Sequence, residues 1–342
     1  MRKVIAVIAF CAGLLALSTV RPAFAQSQPD SSRFVVTLLG TGSPVPSIER
    51  FGPSTLVEVG NQRLVFDCGR GVTIRLAQVG VRLAGVTAVF LTHLHSDHVN
   101  GLSDLWLTGW TYPAGNRRTV PFEVYGPTGT KDMMAHLTEA HAADIRIRMA
   151  DENLPASGIT VNAHDVTEGV IYDHDGVRVT VFDVDHGALI KPAFGYRVDY
   201  RGHSVVLSGD TRFSQNLIAH AKGVDVLIHE VMAVPPKLRA QSEAIRRIID
   251  HHSSPEDASR VFTETGVRLA VYSHVIVAGY ADERTGLDDL VRRTRKAYAG
   301  RFDVGEDLMS IEVSNMPRIL RRGSAAVPAP ASIANRASAS AD

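Results

Sequence analysis

His93, His95, Asp97 and His98 fall within six positions of one short stretch, Leu91-Thr92-His93-Leu94-His95-Ser96-Asp97-His98. The apolar run 86–91 just before them reads as a buried strand. A loop leaving such a strand can turn imidazoles and a carboxylate into one cavity. Zinc asks for such a set, with nitrogen and oxygen ligands about 2.0–2.2 Å from a single point. Imidazoles crowd poorly without a cation, so four polar residues on a solvated loop are the weaker reading.

Three further positions share the pattern of a good ligand just past a strand-like run. His186 precedes Gly187 after the run 177–184, Asp210 follows Gly209 after 204–207, and His274 follows Ser273 after 269–272. Layered α/β folds collect their sites at the carboxyl ends of strands. Singly, each is an ordinary hydrogen-bonded polar residue; together with the cluster at 93–98 they make a candidate ligand set. Cys68 follows a strand too and reads as core packing.

The elements that must position these side chains alternate along the chain. Strands are expected at 34–39, 54–59, 63–66, 88–91, 122–125, 177–184, 194–200, 204–207, 224–228, 269–272 and 309–313. Helices are expected at 72–79, 129–141, 214–221, 238–249, 255–265 and 287–297, the fifth opened by Ser254 as N-cap and Pro255 at the first position. Strand clusters mixed with helices in both halves indicate one layered α/β domain.

Composition bounds the ends and the partners. Residues 1–25 carry Arg2 and Lys3, an apolar run at 4–16 and an Ala23-Phe24-Ala25 cleavage pattern, the marks of a cleaved secretory signal. The expected organisation is signal peptide 1–25, linker 26–32, one folded domain 33–314 and disordered tail 315–342, rich in Ala, Ser, Pro and Arg. Export would leave a periplasmic or secreted protein with Cys68 as its single cysteine and no membrane span. Beyond residue 25 the chain holds 33 basic and 36 acidic residues, without the basic excess usual for a nucleic-acid-binding domain.

The whole pattern resembles the metallo-β-lactamase superfamily, in the branch of ribonuclease Z and the arylsulfatase-like and phosphodiesterase-like hydrolases. The resemblance runs from Leu38-Leu39-Gly40-Thr41-Gly42-Ser43-Pro44 through Phe66-Asp67-Cys68-Gly69 and the histidine cluster. It continues in Gly209-Asp210-Thr211-Arg212, Ile228-His229-Glu230 and Tyr272-Ser273-His274. It implies an α/β, four-layer αββα sandwich holding two Zn2+ per chain. His93, His95 and His186 would hold one ion, Asp97, His98 and His274 the other, and Asp210 both, with a bridging hydroxide as nucleophile. His252, in His251-His252-Ser253-Ser254, resembles a histidine facing the scissile bond and is a candidate general acid. Glu230 is a second proton-handling candidate, Asp97 is carried as catalytic as well as ligating, and Asp67 is a candidate partner for a ligand N–H.

Only 23 residues separate His186 from Asp210, too few for the long RNA-gripping arm that ribonuclease Z carries between the matching positions. With the acidic balance and the export signal, this points to a small-molecule substrate and to no nucleic acid. The expected activity is hydrolysis of small phosphodiesters or aryl sulfate esters. The alternative is hydrolysis of a cyclic ester or amide, as in lactonases and β-lactamases, and a non-catalytic metal-binding protein stands third because no ligand is missing. Trp106 and Trp110, with Tyr112, either line the pocket or pack one helix face. The stretch 231–251 could cap the site, with Arg239, Arg246 and Arg247 toward an anionic substrate. A homodimer is the default assembly.

Overall fold

The computed structural model describes residues 33–111 and 116–323. The expected signal peptide, the linker, Tyr112 and residues 324–342 lie outside the described residues. Two sheets stack face to face. The first has eight strands: β1 (Phe34–Gly40), β2 (Ser54–Val59), β3 (Gln62–Phe66), β4 (Ala88–Phe90), β5 (Phe122–Gly126), β6 (Val161–Asp165), β14 (Ser310–Glu312) and β15 (Arg318–Arg321), in the order β15-β14-β1-β2-β3-β4-β5-β6. The second has seven: β7 (Gly169–His174), β8 (Val177–Asp183), β9 (Phe194–Tyr200), β10 (His203–Leu207), β11 (Val226–Ala233), β12 (Leu269–Val277) and β13 (Phe302–Val304), in the order β13-β12-β11-β10-β9-β8-β7.

One core fills the space between the sheets, where Leu38, Phe66, Phe90, Val181, Tyr196, Ile228 and Val271 meet. Two more lie outside. Helices Val72–Gln78, Leu102–Thr111 and Thr130–Ala140 cover the first sheet, and Gln215–Ala221, Pro255–Thr265 and Glu283–Ala297 cover the second. The result is the four-layer αββα sandwich. Strands β3 to β6 run parallel, as do β10 to β13, so each sheet delivers several loops to one edge. The site occupies that edge.

The differences from the sequence reading have local causes. Strands β6, β7, β13 and β15 carry little apolar alternation, and pairing with neighbours recruits them. β15 falls inside the expected disordered tail because it pairs antiparallel with β14. The helix expected at 238–249 is two, Pro236–Gln241 and Glu243–Ile249, because Ser242 is extended and its side chain caps the second. β11 and β12 run past their expected ends, through Glu230 and His274. Their register slips between His229 and Val231, which places one extra residue on β12, and His274 takes a left-handed φ of 45° there. Such a bulge re-aims a side chain at the cost of the ladder; β-branched or bulky residues seldom tolerate that φ.

A buried ion pair ties the end of β1 to this bulge. Arg75 Nη2 lies 2.8 Å from Asp307 Oδ2, and Asp307 also accepts Thr41 N and Phe51 N at 2.8 Å. The Thr41 carbonyl then accepts Val275 N at 2.8 Å, next to His274. Asp307→Ala leaves the Arg75 guanidinium buried and unpaired, so urea denaturation should show a loss of about 3–5 kcal/mol. A loss below about 1 kcal/mol would mean that the pair is not what fixes this corner.

Candidate metal centre

The loop after β4 carries His93 and His95, and the helical turn Ser96–Val99 that follows carries Asp97 and His98; the loops after β8 and β10 bring His186 and Asp210; the bulge in β12 supplies His274. The structure brings all seven together. Asp210 Oδ2 stands in the middle, 3.3 Å from His98 Nε2, 3.3 Å from His274 Nε2, 3.7 Å from His186 Nε2 and 3.9 Å from His93 Nε2. Asp97 Oδ2 lies 3.3 Å from His274 Nε2 and 3.6 Å from His98 Nε2, and His95 Nδ1 lies 3.4 Å from His186 Nε2. Potential ligand atoms of His93, His95 and His186 form one close group, those of Asp97, His98 and His274 a second, and those of His93, His98 and Asp210 a third joining them.

These spacings suit cations. Corners about 2.0–2.1 Å from the centre of a tetrahedron stand roughly 3.3–3.4 Å apart, close to most of the distances above. His93 Nε2 and His98 Nε2 are buried without a hydrogen-bond partner among the described residues, although buried polar atoms are almost always paired. Burial drives His93 well toward the neutral form and His186 down to about 4. Burial opposes charge on His98 too, and Asp210 and Asp67 outweigh it, raising that ring well above its ordinary value. Asp210 is disfavoured as an anion by burial, yet His274 and His98 pull it well below the carboxylate range. A carboxylate kept ionised beside buried rings, of which His93 and His186 are driven neutral, is a donor set that suits a metal cation.

Three of the five rings, His93, His98 and His186, are held from behind. His98 Nδ1 lies 2.8 Å from Asp67 Oδ2, so the carboxylate accepts its N–H. His93 Nδ1 lies 3.0 Å from Thr92 Oγ1, which donates to Asp67 Oδ2 at 2.9 Å. His186 Nδ1 donates to the His251 carbonyl at 2.9 Å. All three therefore present Nε2 to the centre. Gly209 has φ 59°, and a Cβ there would stand 2.3 Å from the Phe194 carbonyl oxygen, so only glycine lets Asp210 reach inward. Thr92, Thr211 and Ser253 were missed in the sequence; the only available sign was adjacency to His93, Asp210 and His252.

His252 borders the site, its ring centroid 5.1 Å from that of His186 and 5.6 Å from that of His274. Its Nδ1 lies 3.2 Å from Glu230 Oε2. Glu230 is buried and also accepts Ser253 N at 2.7 Å and Thr211 N at 3.3 Å. Glu230 therefore addresses His252 through one oxygen and backbone N–H groups through the other. Trp106 and Trp110 stay out of the site: both are fully buried and donate to the Ile159 and Pro155 carbonyls. Arg246 donates to the Arg239 and Ala240 carbonyls, and Arg247 pairs with Glu243; neither enters the centre.

The layered fold and the histidine–aspartate edge define a metallo-β-lactamase-type hydrolase. A family model described as "Beta-lactamase superfamily domain" matches residues 62–275, and the chain belongs to that family. A protein named Ribonuclease Z from Mycobacterium sp. (strain KMS) is 38% identical over 278 residues, 81% of this chain and 95% of the relative. Among solved structures, the metallo-β-lactamase fold protein YhfI from Bacillus subtilis superposes with a TM-score of 0.62 at 17% identity, covering 81% of this chain and 98% of its own. Human tRNase Z, short form, does so with 0.61 at 20% identity, covering 82% and 99%.

The mycobacterial relative overturns two expectations: a small phosphodiester, sulfate ester, lactone or lactam as substrate, and no nucleic-acid partner. It also leaves the arylsulfatase-like comparison without support. The match takes in 95% of the relative's length, and the short connection between His186 and Asp210 did not predict what such a relative is named for. Net charge failed as a guide because phosphates respond to local cations rather than to the sum over the chain.

Because Asp67 holds two ligand rings, Asp67→Ala should weaken metal binding by about 10–100-fold in competition with a chromogenic chelator. Unchanged affinity would show that packing alone orients His93 and His98.

Proposed function

We propose that this chain is a two-zinc endoribonuclease cutting a phosphodiester bond of RNA, as its ribonuclease Z relative is named for doing. The kinship over nearly the full length of that relative carries the reading, and the convergent ligand set supports it. Zinc suits a centre built of imidazole nitrogen and carboxylate oxygen alone. In this reading His93, His95 and His186 would hold one ion and Asp97, His98 and His274 the other, with Asp210 available to either set. When bound, the pair supplies Lewis-acid polarisation of a phosphoryl oxygen and acidification of water.

The protein's own part is to position and to move a proton. Asp67, Thr92 and the His251 carbonyl keep three ligand rings turned inward. Glu230 accepts from His252 Nδ1, which leaves Nε2 to face the leaving oxygen. An alkoxide leaves poorly, and a positioned acid is worth about 10²–10⁴-fold. Asp97 serves here as a ligand, and Glu230 as a positioning residue.

Incubated with a 3′-extended tRNA precursor, the zinc-loaded protein should cut the RNA, and Asp210→Ala should reduce cutting to background. Intact precursor with the loaded wild-type protein would end this reading. Burial disfavours a charged His252, but the Glu230 carboxylate outweighs it and raises the ring to about 9. The proton-bearing form is present below that value and disappears as pH rises through it; bound dications bring the value lower. The rate should accordingly fall on an alkaline limb at or below about 9, a limb absent in His252→Ala. That variant should lose about 10²–10⁴-fold on RNA and recover most of it when sulfur replaces the leaving oxygen. Equal losses on both linkages would remove His252 from proton delivery.

Export is a separate proposal and rests on residues 1–25 alone. N-terminal sequencing of the expressed protein should begin near Gln26; an intact Met1 overturns it.

A further inference from the structure

Two short helices, Pro236–Gln241 and Glu243–Ile249, join β11 to the segment carrying His251 and His252. Neither buries a single residue, unlike the helices that cover the sheets. Leu238 is seated against Gly279, in the turn after β12. Their far end runs straight into the site. The Ile248 and Ile249 carbonyls accept His251 N at 3.0 Å and His252 N at 3.2 Å, and the His251 carbonyl holds His186 Nδ1. This is a surface flap bolted to two site histidines.

Its charge is one-sided. Residues 236–250 hold Lys237, Arg239, Arg246 and Arg247 against Glu243 and Asp250. Arg247 is paired with Glu243, and Arg246 caps the end of the first helix through its carbonyls. Lys237 and Arg239 are exposed, and no ion pair is found for either side chain among the described residues. Two unneutralised cations on helices that bury no residue, joined along the chain to His251 and His252 at the metal centre, match an extended polyanion.

We propose that the helical pair 236–249 is an RNA-backbone grip, with Lys237 and Arg239 taking phosphates next to the bond being cut. This rests on the RNA-cleaving reading and names the part of the chain that replaces a long arm. The test uses the zinc-loaded full chain with a fluorescent 3′-extended tRNA precursor. Steady-state cleavage is measured, and anisotropy binding is followed over a salt series in a slow-cutting His252→Ala background. Lys237→Ala with Arg239→Ala should raise KM and Kd roughly tenfold, move kcat less than twofold, and flatten log Kd against log salt by about one to two. Lys222→Ala, in the turn before β11, should leave all of these in place.

If the double variant keeps the parent's Kd and salt slope while the parent binds and cuts RNA, the grip lies elsewhere and the inference falls alone. It falls equally if Lys222→Ala loses as much affinity, because the effect is then diffuse charge. A parent that neither binds nor cuts the RNA overturns the enzymatic reading and the grip with it.

Discussion

Asp210 Oδ2 lies within 3.9 Å of four imidazole nitrogens, and the remainder of the active edge is arranged around that crowding. Imidazoles that close cannot all carry protons, and a carboxylate among them loses most of its hydration. The arrangement is tolerable only if positive charge sits between the rings and the carboxylate. The parallel halves of the two sheets bring the loops to one edge, and glycine at 209 lets the aspartate reach in. Hydrogen bonds behind His93, His98 and His186 keep their Nε2 atoms pointed at the gap.

Much of this was legible in the sequence because it is local. The cluster at 93–98 needs only a strand and a loop, and Ser254-Pro255 marks a helix start that the structure places at Pro255. Ligands at 186, 210 and 274 could be found because each follows an apolar run. The sequence did not disclose the bulge at His274, because a bulge arises from the register between β11 and β12, which neither strand encodes alone. Strands β6, β7 and β15 were hidden for the same reason: their backbones pair, while their side chains are largely polar or half-exposed. The tryptophans at 106 and 110 read equally as pocket or packing until their N–H groups were seen to end on buried carbonyls.

The substrate was harder to read than the site. The metal centre fixes the bond chemistry and says little about the molecule that carries the bond. An inference from a missing arm and from net charge treated absence as information. Kinship supplied what the site could not, and it directs attention to surfaces near the centre rather than to the centre itself. The helices before His252, which bury no residue, are such a surface.

Asp67 has a left-handed backbone, φ 58°, and one carboxylate serves both His98 directly and His93 through Thr92. Those two rings belong to different ligand groups. The two halves of the centre therefore share one of their anchors. A substitution at Asp67 reaches rings of both ligand groups at once.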